Sequence, residues 1–192
     1  MFRRVLPAAL FLLATFAHAD DPAMGPTAAG QAVADALREF TSSDIALVPA
    51  GLLREPDKEK REDASAALAF ESDGIVVVNL TGAKLREALE RSVSAFPQSS
   101  VGFLQVAGLE AGFKKTAPAN ARLTSVSVGG VKLEDGKTYA VAMPLSLQQG
   151  QLGYANLWED SKIVRRFDKT TLGVVVKGRR VGSFVARWSP QG

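Results

Sequence analysis

Few side chains able to do acid–base, nucleophilic or metal chemistry occur in this chain of 192 residues, which has one histidine and no cysteine. The missing cysteines exclude thiol nucleophiles, CxxC redox pairs, zinc knuckles and a disulfide framework. The histidine, His18, stands in a segment with the pattern of an export signal. Arg3 and Arg4 precede an apolar run from Val5 to Phe16, and Ala17-His18-Ala19 supplies the small–x–small cleavage pattern. That run is shorter than the roughly 20 residues a membrane-spanning helix needs. Residues 1–19 are therefore expected to be a signal peptide, and the mature protein to be periplasmic or extracellular with no membrane anchor. Cleavage after Ala19 would leave no histidine, which excludes a Ser–His–Asp triad, an imidazole base and His-ligated metals.

Carboxylates are then the remaining acid–base groups. Glu87 with Glu90, and Asp35 with Glu39, recur at helical spacing on the polar sides of amphipathic segments, where solvated surface is their expected role. No serine stands in a GxSxG elbow or an SxxK motif. The glycines of 102–108 and 150–153 lack the spacings of dinucleotide and phosphate loops. Gly178-Arg179-Arg180 is either an anion grip or an exposed basic turn. Phe70, Phe103, Tyr139, Tyr154 and Trp158 fall at the ends of predicted elements, as core or as ligand platforms. The charged run 55–63 reads as solvated surface. Residues 1–19 hold two of the 23 basic side chains and none of the 20 acidic ones, so the net charge of +3 falls to +1 without them. That balance gives no support for a nucleic-acid partner, and no metal or cofactor is expected.

The elements that would position these groups form an α+β pattern. After a linker at 20–27, Val33, Leu37 and Phe40 mark one face of a helix over 27–40. Ile45 to Val48 is apolar throughout, as in a strand covered on both sides. Residues 64–70 read as short helical or extended structure. A strand at 75–80 leads into a helix capped by Thr81 and running to Ser94, stopped by Phe96-Pro97. From 102 to 143 the pattern is β throughout, with Gly129-Gly130 as a two-residue hairpin turn. A further strand is expected at 162–167. Residues 169–192 are expected to be an extension, either a hairpin through Lys177-Gly178 or a poor helix; β-branched residues and glycine favour the hairpin.

The order of several motifs resembles the C-terminal domain of the secreted 5′-nucleotidase family. They are ADALR (34–38), DIALVPAGLLR (44–54), LAF (68–70), VVVNLTGAKLREALE (76–90), GFLQVAGL (102–109), ARLTSVSVGGVKL (121–133), DGKTYAVAM (135–143) and GxxGY (150–154). The resemblance implies a mixed sheet with two main helices over 28–168, and recognition of the base and ribose of a nucleotide. It also implies that the hydrolytic metals belong to a separate metallophosphatase domain, whose Asp, His and Asn ligands have no counterpart here. The binding loops depart from the family pattern. NxGGIR is replaced by PAGLLR (49–54), retaining Arg54, and PFGN by AFES (69–72), retaining Phe70. The family's ribose-contacting aspartate falls on Leu152, and a base-stacking aromatic falls on Ser146.

These departures predict a domain that is non-catalytic alone, with no catalytic and no metal-binding residue. Arg54 and Phe70 are the remaining ligand-binding candidates of a degenerate pocket for a nucleotide-like or altered ligand. Two alternatives stay open. The domain could be the specificity subunit of a split 5′-nucleotidase, acting with a separate metallophosphatase chain that docks on apolar surface including Leu52 and Leu53. It could instead be an envelope interaction module with no small-molecule ligand.

Overall fold

The computed structural model describes residues 21–155, 157–158 and 161–192; the expected signal peptide lies outside the described residues. Helix α1 (Ala28–Thr41) begins where Thr27 Oγ1 accepts the Gly30 backbone N–H at 3.0 Å. Strand β1 (Ile45–Pro49) follows, then β2 (Gly74–Thr81), α2 (Gly82–Val93), β3 (Leu104–Ala107) and β4 (Leu109–Lys114). Next come β5 (Leu123–Val128), β6 (Val131–Lys132), β7 (Thr138–Pro144), α3 (Leu145–Gln148), β8 (Ile163–Thr171), α4 (Leu172–Val176) and β9 (Trp188–Gln191). Five strands form the main sheet in the order β3-β1-β7-β2-β8, and four form a second sheet in the order β6-β5-β4-β9. In the main sheet β1 and β7 run parallel and the other neighbours antiparallel. The α+β class is the one expected.

The two-residue alternation of the strands divides the interior into two cores. Ile75 and Val77 of β2, with Ala46 and Val48 of β1, pack with Val33 and Leu37 of α1. Val76, Val78 and Leu80, with Ile45 and Leu47, join Leu85 and Leu89 of α2 and Phe113, Val126 and Trp188 of the second sheet. Strand β1 is buried along its whole length, as its unbroken apolar run requires. Phe40 departs from the expected helix face: it stands exposed at the end of α1, its ring 5.1 Å from that of Phe167.

The NLTG motif acquires a geometric reason. Thr81 caps α2, its Oγ1 3.3 Å from the Lys84 nitrogen. The next two backbone N–H groups, of Gly82 and Ala83, donate to the carbonyls of Lys137 and Asp135 at 2.9 and 3.0 Å. The turn before β7 thus takes up donors that the first turn of a helix leaves unpaired. A Cβ on residue 82 would lie 2.2 Å from the Glu134 carbonyl oxygen, so only glycine permits this approach.

Residues 169–192 differ from the expected hairpin. They complete β8, form α4, and return as β9 in parallel pairing with β4. Leu172 and Val176, one helical turn apart, are fully buried beside α1. Burying a leucine or valine contributes about 1.5–3 kcal/mol, more than the penalty of at most about 1 kcal/mol each that valine or glycine carries in a helix. Trp188 is fully buried as well, with ring centroids 5.5 Å from Phe103 and 6.0 Å from Phe113, and its Nε1 donates to the Leu104 carbonyl at 2.9 Å. The segment is therefore part of the core rather than an extension beyond residue 168.

The acidic pair of α1 holds this segment in place. Asp35 lies 2.8 Å from Arg187, and the Glu39 carboxylate accepts from the two terminal guanidinium nitrogens of Arg179 at 2.6 and 2.8 Å. Arg180 pairs with Glu62. The basic turn at 178–180 is thus committed to carboxylates of the protein itself. Glu90 is also more than surface, because its carboxylate accepts the backbone N–H groups of Arg122 and Leu123 at 3.0 and 2.8 Å and so anchors the start of β5.

Candidate functional site

Strand directions gather three loops at one end of the main sheet. Parallel β1 and β7 leave the sheet on the same side, at Pro49 and Pro144. Antiparallel β2 enters there, with Ile75 opposite Pro144. The loops 49–54, 70–73 and 145–154 therefore converge, and they are the segments in which the sequence departs from its family pattern.

Loop 49–54 is pinned by its backbone. The Ala50 and Gly51 N–H groups donate to Phe103 and Val101 carbonyls, both at 2.8 Å, and Arg54 N–H donates to Ala67 at 2.9 Å. A Cβ on Gly51 would meet Leu152 Cδ2 at 2.7 Å, and one on Gly102 would meet the Leu152 carbonyl at 2.9 Å. Leu152 thus occupies the space over both glycines. It does so from a left-handed backbone conformation, φ +58°, which costs a leucine about 1–2 kcal/mol. Asparagine and aspartate tolerate that conformation much better, so the backbone shape suits the aspartate that the resemblance implies here, while the side chain is leucine.

The rest of loop 145–154 is fastened just as firmly. The Ser146 hydroxyl donates to the Asp73 carboxylate, which also accepts the Ser146 backbone N–H at 3.3 Å. Ser146, where the resemblance implies a stacking ring, is thus engaged with its neighbour. Arg91 Nε donates to the Gly153 carbonyl at 2.9 Å, and Tyr154 O–H to the Gly102 carbonyl at 2.7 Å. The Tyr154 ring stacks on Trp158 at 5.7 Å, and burial pushes its phenol well above the ordinary tyrosine range.

Arg54 and Phe70 are brought to adjoining segments, since Leu53 bridges to Leu68 and Ala69 N–H donates to the Leu52 carbonyl at 2.9 Å. Arg54 Nε is taken by the Ala66 carbonyl at 3.0 Å. The Arg54 side chain lines an open cleft of about 340 Å³ that also holds Glu55, Asp57, Asp63, Glu71 and Lys60. Hydrogen bonds from Ser65 hold the Asp63 carboxyl below its ordinary range, so it stays ionised. A phosphate entering here would face four carboxylates against two cations, which opposes anion binding. Phe70 is 58% exposed, and the other four candidate aromatics are buried in the core. Leu52 and Leu53 are buried too, so they offer no docking surface. Among the described residues no group of three or more His, Asp or Glu side chains is placed to hold a metal. Nor is any described helix long and apolar enough to cross a membrane.

Two residues of this loop cluster were not singled out from the sequence. Asp73, the partner of Ser146, directly follows AFES and could have been found from that adjacency. Val101, 57% exposed beside Gly51, carries no sequence signal.

These features define an α+β domain that presents three loops at one end of its main sheet. The family model described as the 5′-nucleotidase C-terminal domain matches residues 12–159, and the chain belongs to that family. Among solved structures it is similar to a 5′-nucleotidase precursor from Thermus thermophilus, with TM-score 0.71 and 24% identity over 86% of this chain and 35% of that one. It is similar as well to the NAD nucleotidase of Haemophilus influenzae, with TM-score 0.69 and 16% identity over 90% and 36% of the two chains. A sulfate thiohydrolase from Thermus thermophilus matches with TM-score 0.59 and 20% identity over 88% and 33%. At these identities the likeness is one of fold, and the chain spans about a third of each of these proteins. No curated protein matches it.

Proposed function

We propose that this chain is an exported, non-catalytic domain of the family whose nucleotide pocket is closed by its own side chains, and that it works as an interaction module. The observation that carries this reading is the Leu152 side chain against Gly51, with Ser146 held by Asp73 beside it. Base stacking is worth about 1–3 kcal/mol per base, and a hydrogen bond to a charged group about 1.5–3 kcal/mol. Loss of both would carry a micromolar site toward millimolar before any steric cost. Export is supported by the pattern of residues 1–19 and by the Thermus neighbour, which is a precursor.

A thermal-shift series with adenosine, AMP and UDP-glucose at millimolar concentration tests the reading, and no change in melting temperature is expected. A dose-dependent rise with any of the three would restore the pocket as a ligand site. Added Mn²⁺, Co²⁺ or Zn²⁺ is expected to give no phosphate release from AMP.

A second reading, that the loop end contacts a separate metallophosphatase chain, is favoured by Phe70 and Val101, two exposed apolar side chains at the rim of the closed pocket.

A further inference from the structure

Strand β9 stands at the edge of the second sheet, in the order β6-β5-β4-β9, so its departure breaks no strand pairing except its own with β4. Residues 187–191 bind the domain as a compact arm. Trp188, 1% exposed, fills the space between Phe103 and Phe113, and its Nε1 donates to the Leu104 carbonyl. Arg187 donates from Nη1 to the Val106 carbonyl at 2.7 Å and from Nη2 to Asp35 at 3.0 Å. The backbone pairs with β4 in unbroken parallel register, from Ala111 opposite Trp188 to Lys114 opposite Gln191. All of these partners lie outside the arm, and a second copy of the chain presents the same partners in the same geometry.

The link that carries the arm has the properties of a hinge. Residues 182–186 form no helix or strand; they run from Val181, whose N–H donates to the Glu62 carbonyl at 2.9 Å, to Arg187. They read GSFVA, without a charge, and leave Phe184 and Val185 exposed by 38% and 78%. In the closed chain these two apolar side chains face water. When two copies trade arms, the links run past each other and cover them, while every contact of the arm is kept. Exchange then costs the freedom of two separate chains, and burial of the links offsets that cost. We propose that residues 187–191 are an exchangeable arm, and that the partner this surface fits is a second copy of the chain. The tethered arm competes at an effective concentration on the order of millimolar, so the closed monomer prevails in dilute solution and the exchanged dimer at high local concentration.

The chain has no cysteine, so a pair of thiols can be introduced without background. Lys114 and Gln191 are exposed and directly opposite each other in the ladder. With Lys114→Cys in one chain and Gln191→Cys in another, the thiols meet in disulfide geometry only when the arm of the second docks on β4 of the first. At about millimolar protein, under mild oxidation, the expected result is a linked heterodimer well above the random cross-linking of Gln191→Cys alone. The double variant, when dilute, should close within a single chain. Val185→Asp, at a position exposed enough to leave the melt of the closed monomer unchanged, sets two carboxylates together where the links cross and should lower the dimer yield about tenfold. Isotope-filtered contacts between Trp188 of a labelled copy and Phe113 of an unlabelled one read exchange without substitutions, and decide the question if the introduced thiols fail to close. Closure of the double variant with no heterodimer above the random level would overturn the proposal. So would a dimer without the Trp188–Phe113 contact between copies, or one indifferent to Val185→Asp.

Discussion

Leu152 packs its side chain against Gly51 from a left-handed backbone, φ +58°, and sets its carbonyl against Gly102. An apolar side chain therefore stands in the loop cluster at the position where the resemblance implies a carboxylate. The backbone at 152 keeps a conformation natural to aspartate and costly to leucine. Packing over Gly51 and Gly102 offsets that cost.

This relationship predicts an inverted substitution order at position 152. In most settings glycine is less stable than alanine by about 1 kcal/mol. Here Leu152→Ala should lose packing while keeping the strain, and destabilise by about 1–2 kcal/mol. Leu152→Gly and Leu152→Asn relieve the strain and should fall within about 1 kcal/mol of the parent. Urea denaturation of the three variants checks the order.

Gly82→Ala should destabilise the domain by about 2 kcal/mol or more, because its Cβ would meet the Glu134 carbonyl oxygen at 2.2 Å and neither backbone can withdraw without breaking the cap of α2. Circular dichroism melts would register a lower transition with an unchanged folded spectrum. A melting temperature equal to that of the parent would show that the turn at 134–137 moves freely.

The carboxy-terminal segment supplies a third prediction. Trp188→Ala should cost about 3–5 kcal/mol, since the ring fills the core between Phe103 and Phe113. A chain ending at residue 168 would lack α4, β9 and Trp188 together, and should fail to give a cooperative melt.

The Glu39–Arg179 pair ties the end of α1 to the turn after α4. The hydrogen bond from Arg179 holds the Glu39 carboxyl below its ordinary value of 4.5, and that guanidinium is held above its own. A carboxyl lowered on folding stabilises the folded state above its unfolded pKa, and that contribution is lost as pH falls through the lowered value. The side chains are 58% and 35% exposed, so solvent screening limits the pair to about 1 kcal/mol or less. Glu39→Gln should therefore be slightly less stable than the parent at neutral pH, with the difference vanishing as the parent carboxyl protonates. Paired denaturation curves across the acid range check the convergence.

Much of this fold was legible because its signals are local. Thr27 and Thr81 announce helix starts, Gly129-Gly130 announces the β5–β6 turn, and the unbroken run at 45–48 announces a strand buried on both faces. The last two dozen residues were not legible because distant partners decide them. Leu172 and Val176 are helical because α1 offers them a surface, and Trp188 becomes a strand residue because β4 and two aromatic rings receive it. The carboxylates of α1 illustrate the same limit, since their spacing is that of solvated surface and only the fold brings Arg179 and Arg187 to them. At the loop end, sequence identified the substituted positions, whereas the filling of Gly51's neighbourhood by Leu152 depends on three loops meeting.

The central claim, that the loop end is closed by Leu152, is tested most directly by titrating adenosine and AMP into the isotope-labelled protein while following the amides of Gly51, Gly102 and Leu152. Closure predicts no saturable shift at any of the three up to millimolar ligand. Saturable shifts concentrated on these amides in the unmodified chain would contradict it.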